Sequence, residues 1–242
     1  MGGQAQQKQS EAMGSSMDSY AWLEALGFKL GSDPCVPSKY CDEASDYMMA
    51  VYGIRPPAVP VYFVESGLGL FGGACFLEHE GRSAVVLRAS FKNREKWLWY
   101  RRRELLAHEL CHAGRADFNS RKYEEVIAYQ CASNRFSRYW GGVFHRHWEA
   151  YAVVIPAVLY SVASIFESFA LDTLFWRFIP LALFLCLTVS YVVRHLRVMH
   201  QFGRAMIAAG EMAPVGMSVI YQSDDAKIDR LARFGPELTT AK

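Results

Sequence analysis

The sequence predicts an α+β fold joined to a helical hairpin suited to lipid, and three observations carry that prediction. Runs rich in β-branched and aromatic residues cluster between residues 58 and 90, with helix-period segments on either side. Two long stretches without a charge, residues 150–166 and 178–193, come later in the chain. Between strands and apolar runs lies His108-Glu109-Leu110-Cys111-His112, set in a segment whose apolar positions (Leu105, Leu106, Ala107, Leu110) repeat with helical spacing.

At 242 residues the chain holds one ordinary domain and a smaller appendage. Its 26 basic and 24 acidic residues leave a net charge of +2, spread along the chain, so nothing points to a nucleic-acid partner. Apolar residues make up 52 % of the sequence, and the excess is concentrated between Ala150 and Val193. The six cysteines (Cys35, Cys41, Cys75, Cys111, Cys131, Cys186) show neither a paired metal spacing nor a secreted disulfide pattern. Cys111 lies inside the histidine motif, where a disulfide would distort the helix, so a reducing compartment is expected.

In chain order, residues 1–17 are Gly-, Gln- and Ser-rich with no apolar run, and read as a disordered tail. They lack the apolar core of a signal peptide, and Gln6 stands where a myristoylation signal has Ser or Thr. A short helix is expected over Asp18–Leu30 and a second over Tyr40–Tyr52, ended by Arg55-Pro56-Pro57. Strands are expected at Ala58–Val64, Gly73–Glu78 and Ser83–Ser90, the last two joined by a turn at His79-Glu80-Gly81-Arg82. The motif helix then runs toward Gly114, which is expected to break it, and Ser120 is placed to cap a second helix, Arg121–Phe136, roughly 24 Å long.

Residues four apart share a helix face, so His108 and His112 present two imidazoles to one metal ion with Glu109 beside them. A catalytic Zn²⁺ takes three protein ligands and keeps the fourth position for water, which a neighbouring carboxylate can deprotonate. The second helix supplies a third ligand: Glu125, about one turn in, stands opposite His112, with the small Ala128 and Ala132 on its face. Glu124 competes with it. Cys35 and His79 are the side chains available to close the fourth position, and Tyr123 or Tyr129 is available as an electrophilic hydrogen-bond donor.

His-Glu-x-x-His followed by Glu125-Val126-Ile127-Ala128 resembles the gluzincin class of zinc metallopeptidases, in its short-spacer form, over roughly Val59–Phe136. The resemblance implies a small zincin-like catalytic domain, His108, His112 and Glu125 as zinc ligands, and Glu109 as general base. It also favours Glu125 over Glu124 through the Glu-x-x-Ala pattern. Tyr129 stands where the class often has an acidic residue four positions after its third ligand. In such enzymes the strand before the motif helix forms the edge on which an extended peptide adds; Ser83–Ser90 is placed to be that strand, and is equally compatible with an ordinary sheet strand covering the motif helix.

Beyond Phe136, a basic and aromatic stretch carries His145 and His147, read as an interfacial anchor. The two charge-free runs, of seventeen and sixteen residues, reach membrane length when Glu167 and Arg177 lie at the interface, and pair as a transmembrane hairpin turning near Ser168–Thr173. Arg135, Arg138 and Arg146 precede it and Arg194, Arg197 and Arg204 follow, so both termini and the catalytic domain are expected on the cytoplasmic side. The C-terminal segment contains a helix candidate (Val198–Met212), a strand-like Gly216–Gln222 and a charged helix (Asp224–Phe234), and is expected to fold back on the catalytic domain. The expected organisation is therefore tail 1–17, metallopeptidase domain 18–147, hairpin 148–196 and C-terminal segment 197–242. These readings converge on a membrane-anchored zinc endopeptidase that cleaves membrane-proximal peptides or proteins. The competing reading is a regulatory or scaffold membrane protein whose zinc site does no chemistry.

Overall fold

The computed structural model describes residues 20–69, 73–98, 100–118, 120–144, 147–167, 174–213 and 216–236. The expected tail, the turn at 168–173 and His145 lie outside them. The fold is α+β, and its described residues form two compact units: 20–47 with 56–113, and 48–55 with 114–236.

The first unit is built on a four-stranded sheet. A helix over residues 20–25 (α1) leads into β1 (Lys29–Cys35), followed by α2 (Ser38–Tyr52), β2 (Val61–Ser66), β3 (Ala74–His79) and β4 (Arg82–Arg88). The strand order is β1-β2-β4-β3, with β2 and β4 parallel and the outer pairings antiparallel. Val61–Val64 and Ala84–Leu87 are buried without alternation, as central strands covered on both faces must be. One face packs Tyr62, Val64, Ala84 and Val86 against Leu23 of α1. The β3–β4 turn uses Glu80 (φ 51°) and Gly81 (φ 74°), the pair of left-handed residues a tight hairpin needs.

Two sequence expectations fail in this sheet. The helix foreseen over Asp18–Leu30 stops early, because Gly27 (φ 90°) turns the chain and Lys29 starts β1. β1 carries Gly31, Asp33 and Pro34 and pairs irregularly with β2, so its sequence lacks a strand's alternation. The expected edge strand Ser83–Ser90 is interior, hydrogen-bonded to β2 on one side and β3 on the other. Among the described residues β3 pairs only with β4, so its other side is one of the two edges of the sheet, β1 forming the other.

A short hairpin, β5 (Lys96–Trp97) and β6 (Tyr100–Arg101), delivers the chain to α3 (Arg102–Arg115). Arg102 starts that helix in a fixed position. Its guanidinium donates to the Phe91 carbonyl (3.0 Å), pairs with Glu95 (3.0 Å) and lies 3.4 Å from the centre of the Tyr40 ring.

The second unit contains α4 (Glu124–Ala128), α5 (Arg135–Trp140), α6 (His147–Glu167), α7 (Leu174–Met212), α8 (Gly216–Tyr221) and α9 (Asp225–Phe234). α6 and α7 pack on each other and are both long and apolar enough to cross a membrane. Only 11 % of the apolar window in α6 and 6 % of that in α7 is buried, far below what the core helix of a water-soluble domain shows. α7 is longer than foreseen: the second apolar run and the helix candidate after it are one continuous helix of 39 residues. Its C-terminal part packs on α8 and α9.

The strand-like Gly216–Gln222 is instead α8. Gly216 lies so close to the backbone of Gly210 that a Cβ would sit 2.9 Å from its nitrogen. Ile220 and Tyr221 of α8 are buried. α9 starts as expected, with the Asp224 side chain accepting from the Lys227 N–H (2.7 Å).

Candidate metal centre

In α3 the buried stripe is Leu106, Ala107, Leu110 and Cys111, all 3 % exposed or less, which fixes the helix rotation. That rotation leaves His108 and His112 half-buried on the adjoining face. Their Nε2 atoms lie 3.2 Å apart. Two nitrogens bound tetrahedrally at about 2.05 Å from one Zn²⁺ would stand about 3.3 Å apart, so the pair already has the spacing of a shared ion. A Glu125 oxygen completes the group, with all three ligand atoms within 4.8 Å of one another. This His108–His112–Glu125 group can hold a metal ion, and its N₂O donor set suits zinc. Neither Cys35 nor His79 joins it among the described residues. Cys35 ends β1, and His79 faces Glu80 across the hairpin tip at 3.8 Å.

Glu109 is 8 % exposed and accepts the N–H of Phe76 at 2.8 Å. Phe76 belongs to β3, and an N–H turned from β4 toward Glu109 belongs to the outer edge. The carboxylate adjacent to the two histidines is thus held by the sheet edge, although the strand is not the one the sequence suggested.

Glu124 and Glu125 separate clearly. Glu124 Oε2 accepts from Arg115 Nε at 2.9 Å, while Glu125 stands with the histidines. Arg115, the last residue of α3, is 1 % exposed and is among the largest fully buried side chains of the described residues. Its remaining N–H groups donate to the carbonyls of Ile220, Tyr221 and Ser223 at the end of α8. A buried guanidinium with one carboxylate and three carbonyl acceptors is well satisfied. It ties the motif helix, the start of α4 and the C-terminal segment together.

The path from α3 to α4 differs from expectation. Gly114 does not end α3, which continues through Arg115 into a 3₁₀ turn at Ala116–Phe118. Ser120 caps no helix, because its hydroxyl donates to Asp225 Oδ1 (2.6 Å). Asp225 also accepts the N–H groups of Arg121 (2.8 Å), Lys122 (2.8 Å) and Tyr123 (3.3 Å). Burial opposes its charge, but these four donors outweigh that and hold its carboxyl below the usual carboxylate range. Asp225 thus satisfies the N–H groups of residues 121–123, which lie outside the helix just ahead of α4. α4 is five residues long, continues as a 3₁₀ turn at Tyr129–Cys131 and gives way to a separate α5 capped by Asn134. Ala132 accordingly sits in extended backbone rather than on the face of Glu125.

Of the two tyrosines, Tyr123 is fully buried and donates to Asp229 (2.6 Å), with Gln201 at 3.2 Å. Burial, that hydrogen bond and the nearby carboxylates push its phenol well up, so it is a structural tie within the second unit. Tyr129 lays its ring on Gly141, where any Cβ would overlap it, and a Cβ on Gly142 would come within 3.1 Å of the Val126 nitrogen. The Gly141-Gly142 pair is thus the floor under α4, recognisable in sequence only as a loop. No protein family, curated protein or solved structure matches this chain.

Proposed function

We propose that this protein is a membrane-anchored zinc-dependent endopeptidase in which His108, His112 and Glu125 hold the ion and Glu109 is the general base. The observation that supports this reading best is the convergence of two imidazoles and a carboxylate beside a second, buried carboxylate fixed to a sheet edge. Zinc, when bound, supplies Lewis acidity that makes a water nucleophilic near neutral pH and polarises the scissile carbonyl. Glu109 takes the proton that water loses as its oxygen bonds to the carbonyl carbon. The same carboxyl returns the proton to the amine as the C–N bond breaks. The Phe76 N–H keeps Glu109 pointed at that exchange.

An extended peptide adding to the outer edge of β3 on either side of Phe76, whose N–H is taken by Glu109, runs past that carboxylate. α6 and α7 anchor the chain in a bilayer, and the arginines flanking both apolar runs favour a cytoplasmic side for the termini and the catalytic residues. Only residues 129–146 separate α4 from α6, a reach of at most roughly 60 Å even if extended, which favours peptide bonds close to the membrane as substrates.

The test uses the full chain purified in detergent. Elemental analysis gives about one zinc per chain, and a peptide library incubated with it is cleaved. Glu109→Gln keeps the zinc and loses cleavage by at least about a hundredfold, the low end of what a positioned acid–base group contributes. Zinc retained by a wild-type protein that cleaves nothing leaves a zinc-binding membrane protein without hydrolytic activity, and the endopeptidase reading fails.

A further inference from the structure

A groove of about 520 Å³ runs along α7 in the second unit, with Lys122 on the wall facing the helix. On the α7 side it is lined in order by Val189, Ser190, Val193, Arg194, Arg197, Val198 and Gln201. These positions recur with helical spacing and fall on one face, which extends roughly 18 Å. The chemistry changes along that length. Val189 and Val193 are 60 % and 38 % exposed, on the part of α7 apolar enough to cross a membrane. Arg194 and Arg197 follow one turn later. Lys122 belongs to the Gln201 end, since its Nζ lies 4.8 Å from the centre of the Tyr123 ring and the Tyr123 hydroxyl reaches Gln201.

The charges are not all paired inside the protein. Arg194 grips Glu149 through two hydrogen bonds (2.8 and 2.7 Å), and Lys122 is 2.6 Å from Asp229. Arg197 is exposed and makes no ion pair among the described residues. That leaves Arg197 as the cation of the groove without an ion-pair partner among the described residues. It sits where an apolar wall meets a polar one.

We infer that this groove is a binding site for an anionic phospholipid. The headgroup phosphate rests on Arg197 and Lys122, and the first carbons of an acyl chain lie along Val193 and Val189. Each half of the groove argues for the intact lipid. A free phosphate uses the cations and leaves two exposed valines in water, whereas a neutral lipid covers the valines and leaves Arg197 unmatched. Lys122 directly precedes Tyr123 and α4, so an occupied site braces the segment that carries Glu125. The inference rests on the membrane-anchored half of the proposed function and is independent of hydrolysis.

Native mass spectrometry of the detergent-solubilised full chain, titrated with phosphatidylglycerol, phosphatidylcholine or inorganic phosphate, tests it. One phosphatidylglycerol is retained per chain, with half-saturation at least about fivefold below that of phosphatidylcholine, the discrimination one cation provides. Arg197→Gln raises the phosphatidylglycerol half-saturation about fivefold, while Arg204→Gln, on α7 but outside the groove, leaves it unchanged. Far-UV circular dichroism and a single elution peak confirm that both variants fold, and Lys122→Gln gives a second, independent loss. Equal retention of both lipids, displacement of phosphatidylglycerol by millimolar phosphate, or an Arg197→Gln titration that overlays wild type overturns the site while leaving the anchor standing. A chain that is monodisperse without detergent overturns the anchor and the lipid site together.

Discussion

Replacing Asp225 by Asn tests whether the C-terminal segment sets the metal centre from a distance. Asp225 contributes nothing to the ion directly; it gathers the Ser120 hydroxyl and three successive N–H groups just ahead of α4. Asparagine preserves the shape but has one acceptor oxygen, so either the Oδ1 or the Oδ2 pair of donors meets an NH₂ group instead. Two net hydrogen bonds at about 1 kcal/mol each, with the loss of charge assistance, put the cost at about 2–3 kcal/mol. Residues 121–123 then lose the anchor that fixes the segment leading into α4, and Glu125 loses its fixed position. Outer-sphere supports of this kind change metal affinity by about 10–100-fold, and Asp225→Asn should weaken zinc binding by at least about tenfold in competition with a fluorescent chelator at pH 7.5. The effect also has a pH signature in the metal-free protein. A carboxyl held below its unfolded value of about 3.9 stabilises the fold fully above that pH, and loses the contribution as pH falls through the depressed folded value. The difference in melting temperature between wild type and Asp225→Asn should therefore be constant from pH 6 to about pH 4.5 and shrink below it. A zinc affinity within twofold of wild type, with α4 unshifted, would refute the idea that this carboxylate positions Glu125.

Glu125→Ala should abolish zinc retention, whereas Glu124→Ala should keep the stoichiometry and lower thermal stability by about 3 kcal/mol, because it leaves Arg115 buried with its carbonyl acceptors alone; elemental analysis and a melting curve separate the two. Gly141→Ala forces the Tyr129 ring aside and should cost about 1–3 kcal/mol as overpacking, with a parallel loss of zinc affinity, both visible in the same assays. Carbonate washing at high pH should leave the chain in the membrane pellet, and recovery in the supernatant would count against α6 and α7 as spans.

Periodicity made α3 and the α6–α7 pair legible before any coordinates. The apolar stripe of Leu106, Ala107 and Leu110 dictates which side of α3 the histidines occupy, and seventeen residues without a charge have no use for water. A helix starting near Asp224 was equally readable, though the capping role of Asp224 was not read from the sequence. Nor was the role of its neighbour Asp225, since nothing local shows that one acidic residue caps its own helix while the next serves a loop about a hundred residues earlier. β1 escaped because Gly31, Asp33 and Pro34 break a strand's alternation, and it exists only because β2 offers it a partner. α8 was misread for the opposite reason. Met217–Tyr221 has the composition of a strand, but Gly216 packed on Gly210 and Arg115 on the terminal carbonyls make a helical turn the better-satisfied state.

Sequence alone therefore determined which side chains are capable of gripping a metal ion and which segments are capable of living in lipid, because both are properties of residue type at fixed local spacing. Tertiary structure brought Glu125 rather than Glu124 beside the histidines, put β3 rather than β4 at the sheet edge, and cut α4 to five residues. Each of those outcomes depends on a partner far away in the chain: a buried guanidinium, a neighbouring strand, a carboxylate from α9. A hydrogen bond is settled by whichever donor and acceptor the fold brings together, and spacing along the chain carries no record of that meeting.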